Sequence, residues 1–334
     1  MAIIPSSTTQ YSAPDVPHPF RQNMNYFYLT GHDQPDALLV CTLTNNTFND
    51  YLFLPPFCPN KLRWEGPSLT SRNSAESLEL SKVLDFSEIK SFLWSHEHCH
   101  VFMDNLESSW LLIAHDLNVG DKKCISPFIS DMRIRKSDWE ASKMAKSSHI
   151  LGEALKIVMN KSVKEMVGLL SQYYQCDLLG GEGFAFPPVV ACGDNSTIIH
   201  YMKYKGEFRR GELILVDSGC EVGHYCSDMT RVWPSCGECG QILKECFPVL
   251  RGRCMNVCWR PIWSVLRHLK DKIRLILSMR LYISRDCGYV YDEYRGIGIR
   301  IEDDLLITQN GGHVLTKKIE KSARAQTIRN TVKN

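Results

Sequence analysis

The C-terminal half of the chain alternates short apolar runs with turn-forming residues, a pattern that predicts buried strands. Residues 213–216 form one such run, which ends at Asp217. A second extended run, residues 225–232, follows a glycine-containing turn and carries Asp228. If the two runs pair as a hairpin, both carboxylates can point into one cavity.

A third acidic residue lies on another predicted strand. The run of residues 296–308 is rich in isoleucine and leucine, and it carries Glu302 near its middle. Arg300 falls on the same face of that strand because side chains alternate, and it can hold a neighbouring carboxylate by charge-assisted hydrogen bonds. Buried acids need neutralisation, which a hard divalent cation provides. A salt-bridged sheet edge is the alternative explanation of the three acids.

Strand and helix patterns together predict an α+β or α/β chain. Residues 37–43 and 51–54 have the composition of strands, and the two asparagines between them favour a turn. Ser137 is a predicted N-cap, because acidic residues follow it in the first turn of a helix. Residues 161–176 place apolar side chains at helical spacing. We expect these two helices to cover the sheet.

Composition and charge exclude several classes of protein. At 334 residues the chain is long enough for two domains. Its net charge of +2 argues against a nucleic-acid partner recognised by bulk charge. The N-terminal residues lack the charged and apolar regions of a signal peptide, and no apolar run is long enough to predict a transmembrane segment.

The cysteines leave two interpretations open. Fourteen cysteines without a secretory signal indicate reduced thiols. Two pairs, Cys236 with Cys239 and Cys254 with Cys258, have a spacing close to that of structural zinc sites. Four thiolates suit zinc, and simple free thiols are the alternative.

A basic stretch near the C-terminus also has two interpretations. Residues 251–285 contain nine Lys or Arg residues and one acid, and apolar residues that include Ile276 recur at helical spacing. The pattern predicts a basic amphipathic helix. Such a helix binds a membrane surface or an acidic partner, or it presents a solvated face over a core helix.

Longer motifs carry a family resemblance. In chain order, the matching stretches are residues 20–23, 27–31, 35–36, 133–137, 186–193, 199–201, 215–220, 227–234 and 298–304. Together they closely resemble the aminopeptidase P family of Xaa-Pro-cleaving metallopeptidases, and the mitochondrial type in particular. The resemblance implies an N-terminal creatinase-type domain over residues 1–125 and a pita-bread metallopeptidase domain over residues 126–334. It fails between about residues 236 and 280, where the catalytic domain is truncated.

The resemblance implies roles for individual residues. The family has a dinuclear Mn²⁺ site, in which Asp217 here would bind one ion while Asp228 and Glu302 bridge both. The two ions would activate water and polarise the scissile carbonyl. His200 lies on a strand-like stretch, and its residue type alone favours a structural histidine. The resemblance makes it a substrate-site histidine that donates to a substrate oxygen. Arg300 joins His200 as a predicted catalytic residue.

Two ligand segments of the family find no match. The family site also uses a histidine from an HxxGH-type segment and a glutamate from a Thr-Ile-Glu-Pro-Gly-like segment. This chain has no HxxGH sequence between Trp233 and Tyr294, and the glutamate position falls at about Ser278. His224 and His268 are nearby histidines outside the family motif. An incomplete site of three carboxylates predicts weak binding of one ion.

The predicted function is therefore a metal-dependent aminopeptidase that acts on proline-containing peptides and releases the residue preceding proline. The missing ligand segments predict impaired activity. The alternative is an inactive family member that serves as a binding or dimer-forming subunit. The resemblance also implies a homodimer and a mitochondrial or cytoplasmic location.

Overall fold

The computed structural model describes residues 1–66, 78, 80–96, 98–104, 123–160, 175–203, 208–209, 211–235, 275–283, 298–308 and 311–316, with residues 160 and 275–283 described by their backbone. The chain divides into two compact units, Met1–Arg133 and Ile134–Asn334. Each unit has its own sheet and its own hydrophobic core.

The first unit is a mixed sheet with short helices. The helices are α1 (Met24–Thr30), α2 (Pro59–Glu65), α3 (Ile89–Trp94) and α4 (Ser126–Ile134), which ends at the unit boundary. The strands are β1 (Ala2–Pro5), β2 (Tyr11–Ala13), β3 (Val16–Pro17), β4 (Leu38–Thr44), β5 (Thr47–Leu54), β6 (Lys82–Asp85), β7 (Phe102–Met103) and β8 (Lys123–Cys124). Six strands form the sheet in the order β6-β5-β4-β1-β7-β8, and β2 pairs with β3 separately.

The central strand β4 explains why the first unit has two apolar clusters. Leu38 and Val40 belong to one cluster, whereas Leu39 belongs to the other, because successive side chains point to opposite faces. An apolar run without alternation is the signature of such a doubly covered strand. The predicted turn is also present: Asn45 and Asn46 have φ values of 50° and 63°, which suit a tight hairpin between β4 and β5.

The end of α1 leads into a buried histidine. Gly31, with φ 65°, ends the helix, and the next residue, His32, is 1% exposed. Its Nδ1 lies 2.8 Å from the hydroxyl oxygen of Tyr26. Burial lowers the pKa of His32 from 6.5, while the charge of Asp33 and a hydrogen bond with Gln34 act in the opposite direction. The folded state therefore favours the neutral imidazole.

We expect His32 to make the protein less stable in mild acid. The unfolded chain binds a proton at this histidine near pH 6.5, whereas the folded chain does so at lower pH. The contribution of the neutral His32 to the free energy of unfolding is therefore complete above about pH 6.5 and is lost as the pH falls. For one titrating group, the free energy of unfolding changes by at most about 1.4 kcal/mol per pH unit. Melting temperatures of the wild type and His32→Gln between pH 7.5 and 5 test this. Parallel curves for the two proteins would contradict the assignment, because other titrating groups are common to both.

The second unit is a helix packed on an antiparallel sheet. Its elements are α5 (Asp138–Asn160), β9 (Val189–Cys192), β10 (Leu213–Ser218), β11 (Glu221–Val222), β12 (Tyr225–Cys226), β13 (Met229–Pro234), β14 (Leu275–Ile283), β15 (Ile299–Thr308) and β16 (Gly311–Val314). The sheet order is β14-β15-β13-β10-β9. Strand β16 also pairs with β15, from Leu305↔Val314 to Thr308↔Gly311. The small hairpin β11–β12 joins β10 to β13.

Helix α5 begins where the sequence predicts. The Ser137 hydroxyl accepts a hydrogen bond from the Glu140 amide at 3.2 Å, and the Glu140 carboxylate accepts one from the Ser137 amide at 2.6 Å. This reciprocal pair is a capping box. Apolar side chains of the helix, such as Leu151 and Leu155, share one core cluster with β9, β10 and β13. The helix therefore covers the sheet, as expected.

The pairing of the two predicted strands is confirmed in part. β10 pairs with β13 from Leu213↔Pro234 to Ser218↔Met229. The run of residues 225–232, however, is not one strand, because it breaks at Ser227 and Asp228 between β12 and β13. Asp228 thus sits in a connection, while Asp217 and Glu302 sit within strands.

The predicted basic helix over residues 251–285 is wrong at its C-terminal end. Residues 275–283 form β14, which pairs with β15 from Leu275↔Ile307 to Ile283↔Ile299. Ile276 therefore belongs to a strand, since sheet pairing overrides a helical apolar period. The rest of the predicted basic helix lies outside the described residues. The same is true of residues 161–174, which belong to the second predicted helix, and of the four cysteines of the predicted zinc site. In the described part of the chain, no helix has the length and apolarity needed to cross a membrane.

Candidate metal centre

Three carboxylates converge on the sheet of the second unit. Asp217 on β10 and Glu302 on β15 are both Cα partners of Thr230 on β13, so the three residues form one row across the sheet. Asp228 lies one residue before β13. One oxygen from each of the three acids lies within 4.8 Å of the other two. The convergence that the sequence pattern predicts is therefore present.

The burial of these acids makes a compensating charge necessary. Asp217 is 2% exposed and Glu302 is fully buried, whereas Asp228 is half-buried. Buried carboxylates are costly unless cations or hydrogen bonds stabilise them. An all-oxygen donor set of this spacing and negative charge suits a hard divalent cation such as Mn²⁺ or Mg²⁺. The residues present thus fit a metal ion.

Arg300 ties the row of residues together. Its side chain is 1% exposed, and its Nη2 donates to Oδ2 of Asp217 at 2.5 Å. Its Nε donates to the Thr230 hydroxyl at 3.1 Å, and that hydroxyl donates to Oε2 of Glu302 at 3.0 Å. Strand alternation predicts this contact between Arg300 and a neighbouring carboxylate. The catalytic role of Arg300 stays a prediction.

His200 lies in a turn and not, as its sequence suggests, on a strand. Gly193, with φ 51°, ends β9 and starts a 3-10 helix, Gly193–Thr197, and the exposed His200 follows in the next turn. Arg300 donates from Nη1 to the Ile199 carbonyl at 3.1 Å. The carboxylate row is therefore joined to the residue before His200, while the role of His200 itself stays a prediction.

His224, a histidine considered from the sequence, does not belong to the cluster of carboxylates. His224, with φ 64°, lies in the β11–β12 turn, and its Nδ1 is 3.0 Å from Oε1 of Glu221. Among the described residues, the metal-ligating cluster around Asp217 contains carboxylates alone. His268 lies outside the described residues. Ser278, the approximate position of the family glutamate, is on β14 as the Cα partner of Asp304.

The two acids that follow Glu302 on β15 have contacts that the sequence reasoning missed. Asp303 points to the other face of β15, where Arg231 Nη2 donates to it at 2.7 Å and the Thr316 hydroxyl at 2.6 Å. Asp304 returns to the face of Glu302. Its Oδ2 accepts a hydrogen bond from the Asp228 amide at 3.0 Å. Three consecutive acids within an otherwise apolar strand were the signal for these roles.

The pKa of Asp304 is raised to about 7, chiefly because the side chain is buried. Hydrogen bonds from the Asp228 amide and the Ser148 hydroxyl act against this rise, and the charges of Glu302 and Asp303 contribute to it. The carboxyl group is 3% exposed, and the Ser148 oxygen is 3.1 Å from its Oδ2. Asp304 is thus two residues beyond Glu302 on the same face of β15, in contact with both the connection at Asp228 and helix α5.

Two models of known protein families match successive parts of the chain. Residues 1–101 match the model of the aminopeptidase P N-terminal domain. Residues 142–258 match the model of metallopeptidase family M24. The two matches follow each other in the order that the sequence motifs predict.

Similar proteins match over nearly the whole chain. A mitochondrial intermediate cleaving peptidase 55 of Arabidopsis thaliana is 27% identical, over 97% of this chain and 78% of the relative. Human Xaa-Pro aminopeptidase 3 is 25% identical, over 96% and 78%. Xaa-Pro aminopeptidase of Escherichia coli K12 is 24% identical, over 95% and 91%.

The fold is shared with solved structures. Aminopeptidase P from E. coli in its low-pH form superposes with a TM-score of 0.86 at 22% identity, over 99% of this chain and 94% of that chain. Proline aminopeptidase P II from Yersinia pestis gives the same TM-score at 21% identity, over 99% and 95%.

The alignment with the Arabidopsis relative also measures what this chain lacks. The alignment runs over 388 positions. This chain contributes 97% of its 334 residues to it, which is about 324 residues. About 64 residues of the relative within the matched span therefore face no residue of this chain. The chain is therefore shorter than this relative inside the match.

Proposed function

The chain belongs to the aminopeptidase P family of metallopeptidases, and from this premise we propose that it is a metal-dependent Xaa-Pro aminopeptidase with reduced activity. Its substrates are peptides with proline in the second position, from which it releases the first residue. The convergence of Asp217, Asp228 and Glu302 carries the proposal. We assign residues 1–125 to the N-terminal domain and residues 126–334 to the catalytic domain.

The proposed cofactor is Mn²⁺, held by Asp217, Asp228 and Glu302. When bound, such a cation activates water and polarises a carbonyl group. The chain lacks recognisable counterparts of the family's HxxGH histidine and Glu-Pro-Gly glutamate. Because three carboxylates make a weaker site than the five-ligand site of the family, we propose that one ion binds weakly.

The protein's own residues have distinct proposed roles around this site. Arg300 donates hydrogen bonds to both Asp217 and the Ile199 carbonyl. It therefore holds the turn that contains His200 in a defined position relative to the carboxylates. His200 is exposed, which leaves its imidazole accessible to a peptide. A neutral imidazole there can donate a hydrogen bond to an oxygen of the substrate. Arg300 and His200 are therefore the proposed catalytic pair.

A second candidate function follows from the length difference within the match. The roughly 64 residues that the Arabidopsis relative has in excess within the match favour a family member that retains the fold without turnover. Such a chain would serve as a peptide-binding or dimer-forming subunit. We propose a mitochondrial or cytoplasmic location for either function, and the name of the Arabidopsis relative, a mitochondrial peptidase, supports the first of these.

Hydrolysis of a short Xaa-Pro-Xaa peptide by the purified chain with added Mn²⁺ tests the proposal. We expect slow release of the first residue, and its loss in Asp228→Ala, because that substitution removes one of three ligands. A peptide with alanine in place of proline controls for specificity. If folded wild-type protein shows no turnover but binds the peptide, the second candidate function replaces the first.

A further inference from the structure

Asp228 differs from the other two carboxylates of the centre in how it is held. Asp217 and Glu302 lie within the paired strands β10 and β15, where ladder hydrogen bonds fix the backbone. Asp228 lies between β12 and β13 and is half-buried. A ligand on a connection needs a separate support if it is to stay in place, because loop backbone is less constrained than a sheet.

Asp304 supplies a support at this point. Its Oδ2 accepts the Asp228 amide hydrogen at 3.0 Å, and the hydroxyl oxygen of Ser148 on α5 lies 3.1 Å from the same atom. Asp304 is 3% exposed and Ser148 is 1% exposed, so both contacts are shielded from water. Loss of the acceptor would leave the Asp228 amide without this buried hydrogen bond, which is costly because a buried donor cannot turn to water instead.

The position of Asp304 on β15 relates this support to the metal-ligand row. Glu302 and Asp304 are two residues apart on one strand, so their side chains lie on the same face about 7 Å apart. Asp304 is not a member of the ligand cluster in the described residues. One strand thus carries a ligand, Glu302, and the anchor of another ligand, Asp228.

We propose that Asp304 is a positioning residue, which fixes the main chain of Asp228 relative to Glu302 so that the three carboxylates are arranged for a divalent cation. The inference rests on the proposed function of the site as a metal centre. Groups of this kind commonly change metal affinity 10- to 100-fold when they are replaced. Asp304 therefore affects metal binding without touching the metal.

Three variants separate positioning from other roles. Asp304→Asn keeps an oxygen that can accept the Asp228 amide hydrogen, whereas Asp304→Ala removes it. Asp304→Leu fills the volume without an acceptor, which serves if the alanine variant fails to fold. Ser148→Ala is the matched control, since it removes the contact with α5 and leaves the contact with Asp228.

Two measurements on the full chain test the proposal. Calorimetric titration with Mn²⁺ should show affinity at least about 10-fold weaker for Asp304→Ala or Asp304→Leu, and within about 3-fold of wild type for Asp304→Asn and Ser148→Ala. Amide exchange of Asp228 in metal-free protein should be fast in the first two variants and slow in the others. The exchange measurement does not depend on metal.

The outcomes distinguish this inference from the proposed function. Equal loss of affinity in Asp304→Asn and Asp304→Ala would overturn positioning, because charge and not hydrogen bonding would then matter. Unchanged amide exchange in Asp304→Ala or Asp304→Leu would overturn it too. Wild-type protein that binds no Mn²⁺ would overturn the metal centre and the inference together, whereas wild-type binding that all Asp304 variants retain would overturn the inference alone.

Discussion

Replacing Arg231 with methionine is expected to lower the free energy of unfolding by about 3–5 kcal/mol, the usual cost of leaving a buried charge without its partner. Arg231 is 2% exposed, and its Nη2 donates to Asp303 at 2.7 Å. Its Nη1 donates to the carbonyl groups of Thr230 and Glu302 at 2.9 and 2.7 Å. The substitution therefore breaks an ion pair and a bond between β13 and β15.

Urea unfolding of the metal-free protein measures this effect. A shift of the unfolding midpoint reports the change in stability if the dependence of the unfolding free energy on urea concentration stays the same. The double variant Arg231→Met with Asp303→Leu is the matched control, because replacing a whole buried ion pair with apolar residues is often neutral. We expect the double variant to be more stable than Arg231→Met alone. A loss below about 1 kcal/mol in the single variant would show that the pair contributes little.

Replacing Arg300 with methionine is expected to destabilise the metal-free protein by a similar amount, about 3–5 kcal/mol, and to increase the stabilisation that Mn²⁺ provides. The substitution leaves the buried Asp217 without the guanidinium that contacts it at 2.5 Å. It also removes a positive charge that repels a cation at the same site. A metal ion should therefore recover part of the loss.

Melting temperatures with and without MnCl₂ test this prediction. The rise caused by Mn²⁺ should be larger in Arg300→Met than in wild type, since a ligand stabilises the folded state according to its affinity. Adding Asp228→Ala to Arg300→Met should remove that rise. An equal rise in wild type and Arg300→Met would show that Arg300 does not compete with the cation, and Arg231→Met is the control for a general loss of stability.

Much of this architecture could be predicted from the sequence. The predicted fold class, an N-terminal creatinase-type domain followed by a pita-bread metallopeptidase domain, is confirmed by the family matches and the shared fold. Period-2 alternation placed Arg300 beside a carboxylate, because β15 is a regular strand. The two hydrogen bonds that cap the helix at Ser137 join residues three apart in the chain, so local sequence was sufficient to predict the cap.

The remainder depends on contacts between distant segments. The apolar period around Ile276 suits a helix, and pairing with β15 makes it a strand. The role of Asp304 requires Asp228, 76 residues away, to approach within hydrogen-bond distance. No local pattern encodes that approach. Glycine at position 193 was the available sign that His200 would follow a turn and not a strand.

The narrow junction between β13 and β15 has a consequence for the folding pathway. β10 pairs with β13 over six residue pairs and β14 with β15 over nine, while over the described strands β13 meets β15 at the single pair Thr230↔Glu302. That pair joins residues 72 apart in the chain, so its closure costs more entropy than the hairpins on either side. We expect the two halves of the sheet to form first and to dock late, and the row of carboxylates exists only after that docking step.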